Sequence, residues 1–139
     1  MEESTQLQYP FLDFKSRLIY SFSNLIDQIV TTIVYSYISR DTNMIDNEEL
    51  TNKLKAAIIY AILILAVTHG YSINKNEREE AKDIKNRFKE VFNLINSERA
   101  LPANKILDIC YILAQSVNIF IKYEGQPLSP NNYRIRYGI

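Results

Sequence analysis

Residues 56–67, AAIIYAILILAV, are apolar without interruption. Wound into an α-helix at 3.6 residues per turn, such a run has no polar side. A helix of this kind has to be enclosed, by its own chain or by a partner. Membrane crossing is the obvious competitor, but a bilayer needs ~20 apolar residues, and this run covers only about 18 Å at ~1.5 Å per residue. Lys53 and Lys55 stand immediately before it. The expectation is a buried central helix, and the rest of the chain must supply the elements that surround it.

Three further helical patterns do so. Residues 11–39 carry Leu18, Phe22, Leu25 and Ile29 in one stripe and Ile19, Ile26, Val30, Ile33 and Tyr37 in a second beside it. Together these form the wide apolar face of a bundle helix. The stretch IVTTIVYSYI is β-branched enough to suit a strand. The helical stripes nevertheless run through it in phase, so it reads as helix, and a kink could divide this long element. After RDTNMID, Asp46 or Asn47 caps the central helix, which runs to about His69 and stops at Gly70. The third helix covers about 77–97, with an inner seam of Ala81, Ile84, Phe88, Val91 and Ile95. Pro102 suits the first turn of the fourth, whose inner stripe is Ile106, Cys110, Leu113, Val117 and Phe120, and Gly125 closes it. Short connections make neighbouring helices antiparallel. The expected fold is all-α, an antiparallel four-helix bundle over residues 1–125. Pro127 and Pro130 exclude helix from the rest, leaving residues 126–139 as an extended C-terminal tail. In its last part Tyr133, Ile135 and Tyr137 alternate with Arg134 and Arg136. Such a tail is either laid back on the bundle or presented to a partner.

Composition narrows the class further. With 139 residues, 3 Gly and 4 Pro, this is one domain with too few turn signals for a β-sandwich. The 16 basic and 16 acidic residues cancel, which excludes a charge-saturated binder but permits a local basic patch. Cys110 is the single cysteine, so no intrachain disulfide forms, and its place in an apolar stripe makes it a small buried hydrophobe. The first ten residues, MEESTQLQYP, are acidic and polar and resemble no signal or transit peptide. A cytoplasmic protein without membrane attachment is expected.

Recognised chemistry is sparse. There is no phosphate-binding loop, dinucleotide turn or nucleophile elbow. Any triad would have to use His69, the single histidine, which reads instead as a helix-terminal residue at the C-terminal dipole end. Glu79, Glu80 and Asp83 lie in the first turns of a solvated helix, and no inward Glu-x-x-His step offers a metal site. The expectation is no enzyme, no metal and no cofactor. One feature remains. Arg78, Lys82, Lys85 and Lys89 recur at steps of four, three and four, which puts four cations on one helix face over roughly 16 Å. The bland explanation is a solvated face, since Glu79, Asp83 and Glu90 occupy neighbouring rows. The functional one is contact with nucleic-acid phosphates.

The last helix, KILDICYILAQSVNIFIKYEG, ends in Phe120, Lys122, Tyr123 and Gly125. This resembles the closing helix of the small helical subunit of type III CRISPR effector complexes, with its aromatic–lysine–aromatic–glycine run. KLKAAIIYAILILAVTHGY is similar to that family's central helix, and RFKEVFNLI follows in the family's order. Tyr71 stands after Gly70 where the family often has arginine, and the tail has no counterpart. The resemblance spans about residues 50–125. It implies a non-catalytic subunit, present in several copies, that contacts a single-stranded RNA or a guide–target duplex without reading sequence. Its partners would be other protein subunits or copies of itself. On the matching positions it implies secondary contacts for Lys53, Lys55 and Lys122, beside the tail's Arg134 and Arg136. The alternative expectation is a helical interaction or accessory module, of viral or plasmid origin, that works without nucleic acid.

Overall fold

The computed structural model describes residues 2–121 apart from Thr42 and Met44, with side chains described from residue 13 onward. Four helices make up the fold: α1 (Glu2–Ser39), α2 (Asn47–Tyr71), α3 (Lys75–Ile95) and α4 (Ala103–Ile121). No strand occurs among the described residues. The expected tail, residues 126–139, and the helix end at Gly125 lie outside them.

Helix boundaries follow local chemistry. The Asp46 carboxylate accepts the Glu49 N–H at 3.2 Å and starts α2. Asn74 does the same for Glu77 at 3.1 Å and starts α3, two residues before the expected Glu77. α3 ends at Ile95 rather than Ser97. α2 passes through Gly70 to Tyr71 and stops where Ser72 turns extended, its N–H bonded to Thr68 O. Gly70 is therefore a helical residue and not the terminator. α1 begins at Glu2 rather than near residue 11. Pro10 costs that helix one backbone hydrogen bond but its fixed φ is compatible with continuing. At the other end Arg40 takes φ 57°, and the Asp41 N–H reaches back to Ser36 O at 3.2 Å. This is the six-to-one bond of a Schellman cap.

The chain runs up-down-up-down, as four tertiary bonds show. Lys15, in the first half of α1, meets Phe120 O at the end of α4. His69 and Arg78 join the α2–α3 turn, Lys55 reaches Asn96 O beyond α3, and Asn47 meets Leu101 O before α4. α2 is the central helix. It packs on α1, α3 and α4, whereas α1 and α3 lie on its opposite flanks and barely meet. Leu54, Ala57, Ile58, Ala61, Ile64 and Leu65 are fully enclosed. The enclosure stops short of one face, where Ile59 and Leu63 remain 45 % and 40 % exposed. Extended beyond the apolar run at both ends, α2 is the one described helix with the length and composition to cross a membrane, and 44 % of its apolar window is buried inside the bundle.

Candidate nucleic-acid interface

α3 is amphipathic because its seam is narrow. Ala81, Phe88 and Ile95 are buried, Ile84, Val91 and Phe92 are packed against the core, and most of the rest faces solvent. At 100° per residue, Arg78, Lys82, Lys85 and Lys89 fall within one sector about a quarter turn from that seam. The acids Glu79, Asp83 and Glu90 fall roughly a further quarter turn round, facing solvent. These four cations and three acids therefore occupy separate rows, while Arg87 falls on the acids' side.

The four cations are not equivalent. Arg78 is half-buried at the base of α3. Its Nη1 donates to Ser72 O at 2.7 Å, and its own carbonyl lies 3.2 Å from Nδ1 of His69. Its guanidinium clamps the α2–α3 turn. Lys82 and Lys89 are exposed, and Lys85 is half-buried, its stem against the bundle. None of the three lysines has an ion pair among the described residues. Successive like charges at i,i+3 and i,i+4 cost a few tenths of a kcal/mol each. Among the described residues no ion pair offsets this cost.

The secondary candidates divide as well. Lys53 pairs with Glu49 one turn earlier at 3.3 Å. Lys55 donates to Asn96 O at 3.0 Å and to Glu98 O at 2.7 Å. With Asn47 and Thr51 it forms an i,i+4,i+8 row on α2 that holds the α3–α4 loop. Asn47 donates to Leu101 O at 2.9 Å and Thr51 Oγ1 accepts the Leu101 N–H at 2.8 Å. Lys55 is thus a loop-holding residue. Lys122, Arg134 and Arg136 lie outside the described residues. A further lysine, Lys15, is 2 % exposed and donates to Phe120 O at 3.4 Å, at the negative end of the α4 dipole. Its position in phase with Leu18, Ile19 and Phe22 is the sequence signal that marks it as buried.

Cys110 is enclosed, and burial pushes its thiol up to about 12. No group of three or more metal-ligating side chains comes together among the described residues. Fold and surface together define an all-α four-helix bundle with a lysine ladder along one flank. No family model matches the chain, and neither a curated protein nor a solved structure is significantly similar to it.

Proposed function

We propose that this bundle is a non-catalytic, cytoplasmic subunit that contacts nucleic-acid backbone within a multi-subunit ribonucleoprotein. One observation carries the reading: Lys82, Lys85 and Lys89 form a ladder on one face with no ion pair among the described residues, in a row apart from Glu79, Asp83 and Glu90. Three phosphate contacts are weak alone, with a single-strand log–log salt slope of about −2. Such a ladder becomes effective when copies or neighbouring subunits align their shares along one strand. The resemblance of residues 50–125 to the small subunit of type III CRISPR effector complexes fits this role, in which antiviral defence depends on an RNA-bearing assembly. Single-stranded RNA titrated with the purified protein tests it. Binding with that salt slope is expected, and Lys82→Glu with Lys85→Glu should abolish it. Unchanged binding in the double variant refutes the ladder as the contact.

The exposed apolar face of α2 favours a second reading. Ile59 and Leu63, with Tyr20, Val34, Tyr35 and Ile38 on α1, give the bundle more apolar surface than a solitary domain needs. A helical interaction module would use that surface with no nucleic acid. Capture of a protein partner that survives both nuclease treatment and the lysine reversals would support it.

A further inference from the structure

α2 has helices on three sides and an open fourth. Lys55 and His69 mark its α3 flank, since Lys55 bonds to Asn96 O just past the end of α3 and His69 lies against Arg78 O near its start. Turning on from that flank at 100° per residue, the next sector of α2 holds Ala66, Ile59, Gly70, Leu63 and Ala56. Ile59 and Leu63 project into solvent, and Ala56 and Ala66 are half-buried between them. At the end of the strip, no other part of the fold lies within 4 Å of where a Cβ on Gly70 would stand. α1 and α3 flank the strip and barely meet across it. The place of a fourth neighbour is therefore open over about 21 Å, from Ala56 to Gly70.

The two banks of this strip differ in charge. α3 runs antiparallel to α2 with its seam against it. From that seam, the rotation that leads to Lys82, Lys85 and Lys89 turns away from α4 and towards the open side. On α1, which lies on the opposite flank, the same sense of rotation turns towards α4, and there Ile26 and Val30 line the cleft between α1 and α4. The bonds at Lys55 and His69 also fix the register of α3 on α2. On that register Lys89, Lys85 and Lys82 stand level with Ile59, Leu63 and Ala66 in turn. The α1 bank presents Leu25, Gln28 and Thr32 and carries no acid.

We propose that the open place takes an acidic amphipathic helix of a partner protein. Its aliphatic stripe seats on Ile59 and Leu63, and carboxylates along one of its flanks meet Lys82, Lys85 and Lys89. The proposal rests on the second functional reading and gives that partner its chemistry. Helices pack about 8–10 Å apart, so one more on α2 lies between α1 and α3 and completes the enclosure that an apolar helix requires. The strip is aliphatic, which suits the ridges of a helix, whereas bases stack on aromatic side chains. Two projecting side chains and lysines on a single bank give a lipid surface little to hold. A second copy laid strip to strip brings the ladder no free carboxylate. The acids Glu79, Asp83 and Glu90 turn away from the strip, the α1 bank has none, and Glu48 at the strip's start is paired with Arg99.

The probe is a synthetic helix of about fourteen residues, the length of the strip, with leucine at every third or fourth position and glutamate along one flank. Fluorescence anisotropy follows its binding to the full chain, beside a version with glutamine in place of glutamate. The acidic peptide should bind about tenfold more tightly than the glutamine one, and Lys82→Glu with Lys85→Glu and Lys89→Glu should remove that preference. A peptide with lysine in place of glutamate should then bind the triple variant, a rescue that loss of folding cannot mimic. Ile59→Ser with Leu63→Ser should weaken the acidic peptide about tenfold. No binding of the acidic peptide overturns the proposal. Equal binding of the acidic and glutamine peptides overturns the acidic partner and leaves the apolar face of the second reading standing. Binding that the serine pair does not weaken overturns the seat on α2, and that reading with it. Three other occupants are tested with the same serine pair: vesicles of phosphatidylcholine and phosphatidylserine, single-stranded RNA, and the chain itself by light scattering across concentration. If one of these associations is lost in the serine pair while the acidic peptide does not bind, the face belongs to that occupant and the proposal is overturned.

Discussion

Cys110 shows how one buried atom links packing to pH. Its thiol has an ordinary value of 9.0, and burial raises this to about 12 in the native chain. An unfolded chain therefore ionises first as pH rises. The stability that this group contributes is complete below about 9 and falls away between there and about 12. Urea unfolding of Cys110→Ala against the unaltered chain should show a difference that shrinks as pH is raised from about 8 to about 11. A difference constant across that range would mean the thiol is not held protonated. Thr51 makes the corresponding case for a hydroxyl. Thr51→Val keeps the shape but leaves the Leu101 N–H buried with no acceptor, at a cost of about 1–3 kcal/mol. Thr51→Ser should lose much less in thermal unfolding, and an equal loss would assign the effect to the methyl group. Both residues sit in apolar stripes, so their burial is readable from spacing. That Thr51 serves a loop fifty residues away is not, because the bond depends on where that loop lands.

Among the elements, α1 ends under strain and α3 carries a row of like charges with no ion pair among the described residues. Arg40 adopts a left-handed conformation that costs an L-residue about 1 kcal/mol and glycine almost nothing. Arg40→Gly should raise stability by about 0.5–1 kcal/mol, with the Schellman cap intact. A loss instead would show that the arginine side chain contributes more than its backbone costs. For α3, Lys85→Glu removes two like-charge neighbours and should leave stability unchanged or higher by a few tenths of a kcal/mol. The same variant should weaken RNA binding. Those opposite signs distinguish a ladder kept for binding from a face that is merely solvated. The helical identity of α1 through IVTTIVYSYI was readable, because two apolar stripes pass through it in phase. Its start at Glu2 was not, because Pro10 looks like a boundary until the turn before it is seen to be helical.

At the scale of the whole molecule the central position of α2 makes the bundle asymmetric. Ile64→Ala opens a cavity where three helices meet and should cost about 2–5 kcal/mol. Ile59→Ser with Leu63→Ser, on the same helix but facing outward, should cost far less. In the second functional reading that outer pair is the partner surface, and the double variant would then lose its partner while keeping its melting temperature. Size-exclusion chromatography together with calorimetry separates the two effects.

The all-α class and the number of helices were legible in the sequence alone, but which side of the apolar α2 run is enclosed was not, since Ile59 and Leu63 stay exposed. Apolar periodicity and capping side chains are local, and a run with no polar side admits few environments. What each cation does was decided by the tertiary structure. Arg78, Lys53, Lys55, Lys82, Lys85 and Lys89 look alike along the chain. Folding brings backbone carbonyls to Arg78 and Lys55, places Lys53 one turn from Glu49, and brings the other three no ion pair among the described residues. A charge declares its role through its neighbours, and most of those come from distant sequence.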